Sequence, residues 1–315
     1  MKPQNIVILG GTGFIGSHLV PRLQAEGHSI TVLSRNREKH RELGVLPRVR
    51  VVSADVLDGD QLRRHLDGAD AAINLIGILN ERGSDGSGFR KAHVEVTETL
   101  IAACQATRVP RLLQMSALRA GEGESHYLRT RGEAEARVKS SRLAWTIFRP
   151  SVVFGPGDGL FYRFASLLRM TPVLPLARAD AKFTPVYVGD VAQAFTRAIA
   201  HPLAAGRTYE LFGPDVITLR AIVEWTAELL GKRRWIIALP DFLGQLQAAV
   251  GEWLPGKPIS RDNFRSLKLD SVGTQDGLAA LGIVATPMDV VVPPLLRGDD
   301  WQRRLDEYRM LHWHG

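Results

Sequence analysis

Cysteine is almost absent from this chain. Cys104 is the one thiol in 315 residues, so no intrachain disulfide can form, which suits a reducing compartment. Cys104 itself lies in the apolar helical run TLIAACQA and reads as core. No run reaches the roughly 18 consecutive apolar residues that a membrane-crossing helix needs. The first residues, MKPQNIVILGGTG, lack the apolar segment and small-residue cleavage site of a secretory leader. The expected location is cytoplasmic, with peripheral attachment to a membrane left open. No Cys/His cluster with metal-ligand spacing occurs. His312 and His314 stand near the C-terminal end without a carboxylate or thiol beside them, and read as a frayed tail. Internal repeats, low-complexity tracts and nucleic-acid-binding modules are missing too, so nucleic acid is not an expected partner.

What is present is the balance of a soluble globular protein, with 45% hydrophobic and 23% charged residues. The net charge is +7. An excess of this size suits a phosphorylated ligand or an anionic surface. It is locally concentrated: Arg35, Arg37, Lys39, Arg41, Arg48 and Arg50 fall within residues 35–50, against Glu38 and Glu42.

Short apolar runs recur through the first half: Ile6–Leu9, Ile30–Leu33, Val49–Ser53, Ala71–Ile76, Arg111–Met115 and Ala144–Phe148. Near-continuous apolar runs of this length predict strands buried on both faces. Helical segments separate them, so the pattern predicts an α/β fold with a doubly wound parallel sheet. Gly27 is placed to end the first helix. After Pro150 the rhythm changes. Helices are predicted over Leu160–Met170, over Asp190–Ala200 with Asp190 as its cap, and over 216–231, with a strand over Thr208–Gly213. Residues 235–315 show no strand alternation. One domain is therefore expected over 1–155 and 185–213, and a smaller, mostly helical one over 156–184 and 214–315.

The strongest motif is VILGGTGFIGSHLV, in which Gly10, Gly13 and Gly16 follow a strand and enter a helix. This spacing permits a tight turn, close approach of backbone to a pyrophosphate, and tight helix–strand packing. Thr12, Phe14 and Ile15 complete the loop, whose helix N-terminus offers free N–H groups to phosphates. The expected ligand is a nicotinamide dinucleotide. At the end of the second strand, where an Asp or Glu would hold an unphosphorylated ribose, the sequence reads Ser34-Arg35-Asn36-Arg37. With no carboxylate there, Arg35 is the candidate partner of a 2′-phosphate, and NADP(H) is favoured over NAD(H). Arg37 reads as part of a solvated face. Asp55 and Val56, just past the third strand, are placed to touch the adenine.

These motifs, together with NLIG (Asn74–Gly77), Ser116 followed by Tyr127, RPSVVFGPGD (Arg149–Asp158) and FTPVYVGDVAQAF (Phe183–Phe195), resemble the short-chain dehydrogenase/reductase superfamily in its extended and atypical branches. The nearest likeness is to the branch of the NAD(P)H-binding accessory subunit of respiratory complex I and its bacterial relatives. The resemblance covers residues 5–215 well and the last hundred weakly. It implies a Rossmann-type doubly wound parallel sheet with a smaller, mostly helical C-terminal substrate domain. It places Leu75, Ile76, Gly77, Met115, Tyr127 and Arg131 along the cofactor, with Pro150, Ser151, Val152 and Val153 beside the nicotinamide.

Enzymes of that family use a Ser or Thr, a Tyr, and a Lys four residues after the Tyr. A tyrosine hydroxyl titrates near pH 10, and a cation beside it stabilises the anion so that it can act nearer neutrality. Here the resemblance implies Ser116 and Tyr127 as catalytic residues, but position 131 holds Arg in place of Lys. Arg131 keeps the charge and stands one helical turn from Tyr127, and it also stands one turn from Glu135, where an i,i+4 surface pair is the alternative.

Phe242, Leu243, Leu246, Ala249, Val250, Trp253 and Leu254 form an apolar stripe at helical spacing. A core-facing helix is expected; the alternatives are a lid over an apolar substrate or a surface that docks on a membrane partner. Two functions follow from the sequence: hydride transfer at a carbonyl of an unidentified small molecule, centred on Tyr127, or a non-catalytic NADP(H)-holding role in a respiratory or quinone-related assembly. A dinucleotide sensor is a third.

Overall fold

The computed structural model describes residues 2–252 and 259–297. It opens with β1 (Asn5–Leu9), α1 (Phe14–Ala25), β2 (Ser29–Ser34), β3 (Val49–Ser53), α2 (Gly59–Leu66) and β4 (Ala71–Asn74). A short α3 (Ser87–Arg90) passes through a π-helical turn (Lys91–Glu95) into α4 (Val96–Ala106). Then come β5 (Arg111–Met115), α5 (His126–Ser140), β6 (Ala144–Pro150), β7 (Val153–Phe154), α6 (Phe161–Met170), β8 (Val173–Ala177), β9 (Lys182–Phe183), β10 (Val186–Tyr187) and α7 (Val188–Ala200). The remainder comprises β11 (Arg207–Leu211), β12 (Ile217–Thr218), α8 (Leu219–Leu229), β13 (Trp235–Leu239), α9 (Asp241–Gly251), α10 (Arg261–Ser266), α11 (Gly277–Ala280) and α12 (Met288–Arg297).

Seven strands make one parallel sheet in the order β11-β6-β5-β4-β1-β2-β3. The two-residue period of a strand explains why its runs are apolar throughout. Ile6 and Ile8 face one side, with Leu19, Leu23 and Phe195 of α1 and α7. Val7 and Leu9 face the other, with Leu62, Leu66, Leu100 and Cys104 of α2 and α4. Each fully buried Leu or Ile in these layers contributes about 2 kcal/mol of transfer free energy. Chain order reverses between β1 and β4, and that crevice at the strand C-termini is where such sheets take ligands.

The remaining elements build smaller cores around Phe154, Phe161, Ile222 and Val292, and around Leu168, Leu174 and Val223. Several sequence expectations need correction here. The strand expected over Ala71–Ile76 stops at Asn74, because the Asn74 Oδ1 accepts the N–H of Ile76 at 3.0 Å and turns the chain. Asp190 does not cap α7, which starts at Val188; its buried carboxylate instead accepts the N–H and hydroxyl of Thr286 at 2.7 and 3.0 Å. The helix expected over 216–231 starts only at Leu219, after the short β12. Residues 235–239 do form a strand, paired in parallel with β8. The apolar stripe of α9 is not core-facing: Phe242, Leu243 and Leu246 are exposed, and the helix packs inward through Gly244 and Ala248. Trp253, Leu254, His312 and His314 lie outside the described residues, as does the side chain of Val250. Gly27 ends α1 as expected, at φ +90° with its N–H on Gln24 O. Cys104 is core, and burial pushes its thiol up to about 12. Among the described residues no helix is long and apolar enough to cross a membrane.

Candidate dinucleotide site

The glycine loop joins β1 to α1 at the crevice. Gly10 turns the chain at φ +75°, and a Cβ on it would lie 3.0 Å from the backbone of Leu75 and Ile76, so the ends of β1 and β4 touch only because it has no side chain. Gly16 rests directly on the backbone of Gly11, closing helix against strand. Gly13, by contrast, faces open space apart from Gly10 O, and it begins α1 with no side-chain cap and no acid in the first turn. Thr12 is half-buried, and Phe14 and Ile15 supply the first N–H groups of the helix. An anion at this end would meet free donors and the positive end of the helix dipole.

At the end of β2, Ser34 is buried, and its hydroxyl donates to Asn36 O at 3.3 Å. Arg35 is exposed and has no ion-pair partner among the described residues. Arg37 and Arg41 are both drawn to Glu38, at 2.9 and 2.6 Å, so the solvated-face reading of Arg37 holds. Past β3, Asp55 is exposed and accepts the N–H of Leu57 at 3.0 Å, and Val56 is half-buried.

α5 presents Tyr127, Arg131 and Glu135 at successive turns of one face. Arg131 is buried. Its guanidinium donates to Ile76 O at 3.2 Å and Met115 O at 3.0 Å, tying the ends of β4 and β5 together. It lies against Gly77, where a Cβ would come within 3.0 Å of its Cζ, and 5.5 Å from the Tyr127 ring. The surface pair with Glu135 does not form. The Arg131 Nε is a buried donor without a hydrogen-bond partner among the described residues. With the open Gly13 and the uncapped α1, this donor fits a dinucleotide laid across the edge.

Ser116 is buried, and its hydroxyl donates to Glu135 Oε1 at 2.7 Å. Glu135 also takes a two-point bond from Arg149, at 2.8 and 2.6 Å, and one from Lys139 at 3.1 Å. Burial alone would raise this carboxyl, but Arg149, Ser116 and Lys139 together hold it below the ordinary carboxylate range. Tyr127 is half-buried, with Phe89 and His93 6.2 and 5.6 Å away, ring centre to ring centre. Met115 and Pro150 are buried at the ends of β5 and β6; the Ser151 hydroxyl donates to Ser271 O at 2.7 Å, and Val152 and Val153 pair with Val186.

A family model described as NAD(P)H-binding matches residues 10–165. The mitochondrial NADH dehydrogenase [ubiquinone] 1 alpha subcomplex subunit 9 of Arabidopsis thaliana is 30% identical over 302 residues, covering 92% of this chain and 75% of that protein. The chain belongs to this NAD(P)H-binding family. A ceramide reductase of Caulobacter vibrioides is 28% identical, over 75% of this chain and 74% of its own. In fold, the family member described here is similar to DesIV, a dTDP-glucose 4,6-dehydratase from Streptomyces venezuelae, with a TM-score of 0.76 at 20% identity over 96% of this chain and 98% of that one.

Three residues of this NAD(P)H-binding protein were not singled out from sequence. Glu135 was legible only as a neighbour of Arg131, and its pairing with Ser116 needs the fold. His93 has Nε2 accepting from Ile78 N at 3.3 Å and Nδ1 on Thr130 Oγ1 at 2.8 Å, and so joins the loop after β4 to α5. Asp262, from α10, accepts the N–H groups of His126 and Tyr127 at 2.6 and 3.0 Å and caps the tyrosine helix from 135 residues away. No local pattern announces that reach.

Proposed function

We propose that this protein binds NADP(H) in preference to NAD(H), with Arg35 meeting the 2′-phosphate, and that it holds the dinucleotide as a structural element. One observation carries the second half: of the three residues aligned with the catalytic set, two are already committed to the protein. The Ser116 hydroxyl donates to Glu135, and Arg131 bonds the carbonyls of Ile76 and Met115. The relatedness to complex I subunits supports an accessory role in a respiratory or quinone-related assembly. Arg35 supports the cofactor preference, being an exposed guanidinium, without an ion-pair partner among the described residues, where the family's ribose-binding acid would stand.

A second reading is favoured by Tyr127, which stays half-exposed beside the Arg131 guanidinium. NADP(H) supplies or accepts a hydride when bound, and Tyr127 would then deliver the proton to a carbonyl oxygen or take it from the corresponding hydroxyl, with the Arg131 guanidinium 5.5 Å from its ring. Arg35→Ala should weaken NADPH by about tenfold or more and leave NADH nearly unchanged; equal losses refute the phosphate role. NADPH that survives purification, with no oxidation by a panel of carbonyl compounds, supports the holding role. Turnover abolished by Tyr127→Phe establishes the second reading instead.

A further inference from the structure

The outer face formed by β8, β13 and α9 has no part in the dinucleotide site, and its composition is unlike the rest of the surface. β8 and β13 pair with Val173 opposite Trp235 and Pro175 opposite Ile237. Alternate residues Leu174, Leu176 and Ile236 face inward. The others face out: Val173 is 42% exposed, Trp235 76% and Ile237 50%. α9 extends the face. A Cβ on Gly244 would lie 2.8 Å from the Phe264 ring and 3.1 Å from Ala177 Cβ, so the helix packs down on its small residues and turns its large ones outward. Phe242 and Leu246 are 69% and 60% exposed. The Gln247 amide donates to Pro175 O at 2.8 Å and holds helix and ribbon side by side. Met170, 78% exposed, closes the apolar area at the end of α6.

Charge identifies what this face fits. Residues 170–178 and 231–251, which build it, hold Arg178, Lys232, Arg233 and Arg234 against one acid, Asp241. That acid is neutralised by Arg178 at 3.0 Å. Lys232 and Arg233 are exposed immediately before Trp235, and Arg234 is anchored to Leu168 O at 2.7 Å, which keeps this basic run against the end of α6. Two copies meeting through this face would bring like charges together. An apolar area with Trp and Phe at its centre and Lys/Arg beside it matches the interface of an anionic bilayer, where aromatic rings sit at headgroup depth and basic side chains meet phosphates. We infer that the β8–β13–α9 face docks this protein on an anionic phospholipid surface.

The test uses the purified chain with two kinds of vesicle, phosphatidylcholine alone and phosphatidylcholine with about one-third phosphatidylglycerol. Co-sedimentation is expected with the anionic vesicles, much less with the neutral ones, and loss of binding at high salt. Removing basic side chains should cost about fivefold each, so Lys232→Gln with Arg233→Gln lowers the partition about 25-fold. Phe242→Gln with Leu246→Gln should also release the protein, while its melting temperature and NADPH retention stay at wild-type values, since both side chains are exposed. Failure to pellet with anionic vesicles, or charge variants that pellet like wild type, would overturn the inference. So would a dimer that dissociates on Phe242→Gln with Leu246→Gln in a protein that ignores vesicles, since the face would then belong to a second copy. Vesicle binding by a chain that retains no NADPH would leave this inference standing and count against the cofactor reading alone.

Discussion

His93 should make the fold sensitive to mild acid, by an amount that can be worked out. The ring is 1% exposed. Its Nε2 accepts the N–H of Ile78, so the ring proton is on Nδ1 and is donated to Thr130 Oγ1, whose own hydroxyl donates to His126 O at 2.8 Å. A second ring proton would point at an N–H. Burial, and then the charge of Arg131, push this imidazole down to about 2. The unfolded chain takes up a proton near pH 6.5 and the folded chain does not. The stability associated with neutral His93 is therefore complete above that pH and is lost progressively as the pH falls below it. Between pH 7 and pH 5 the loss from this one group is about 2 kcal/mol. His93→Gln can keep both hydrogen bonds, with the amide oxygen accepting and the amide nitrogen donating, and it does not titrate. Urea unfolding of both proteins at pH 7, 6 and 5 isolates the term. The stability difference between them should shift by about 2 kcal/mol in favour of the variant as the pH falls. Parallel pH curves would refute the assignment of a buried, neutral His93.

Other perturbations test the site and its support. Glu135→Gln leaves the Arg149 guanidinium without its carboxylate and should cost about 3 kcal/mol, against about 1 kcal/mol for Ser116→Ala, both read by denaturant unfolding. The two losses should not add in the double variant, because the residues share one hydrogen bond. Gly16→Ala drives a methyl into the backbone of Gly11 and should reduce NADPH affinity by about tenfold or more, measured by cofactor fluorescence.

The parallel sheet was legible because its strands are buried on both faces, so their residues must be apolar whatever packs against them; Ile6–Leu9 and Arg111–Met115 could be read for that reason. The glycine loop was legible because Gly10 and Gly16 answer to local backbone geometry. The orientation of α9 was not. Its apolar stripe is compatible with either side, and what turned it outward is the close fit of Gly244 against Phe264 and Ala177, residues remote in sequence.

Short-range order, then, belongs to the sequence by itself: strand and helix periodicity, the dinucleotide loop, the buried thiol, the Tyr127–Arg131 spacing on one helical face. Only the tertiary structure decided which partner each polar group took. Ser116 went to Glu135, Arg131 to two strand-end carbonyls, and the N-terminus of the tyrosine helix to Asp262. The reason is physical. Periodicity is a property of neighbours along the chain, whereas a buried donor takes whichever acceptor the packed fold brings within about 3 Å, and that acceptor can come from anywhere in the sequence.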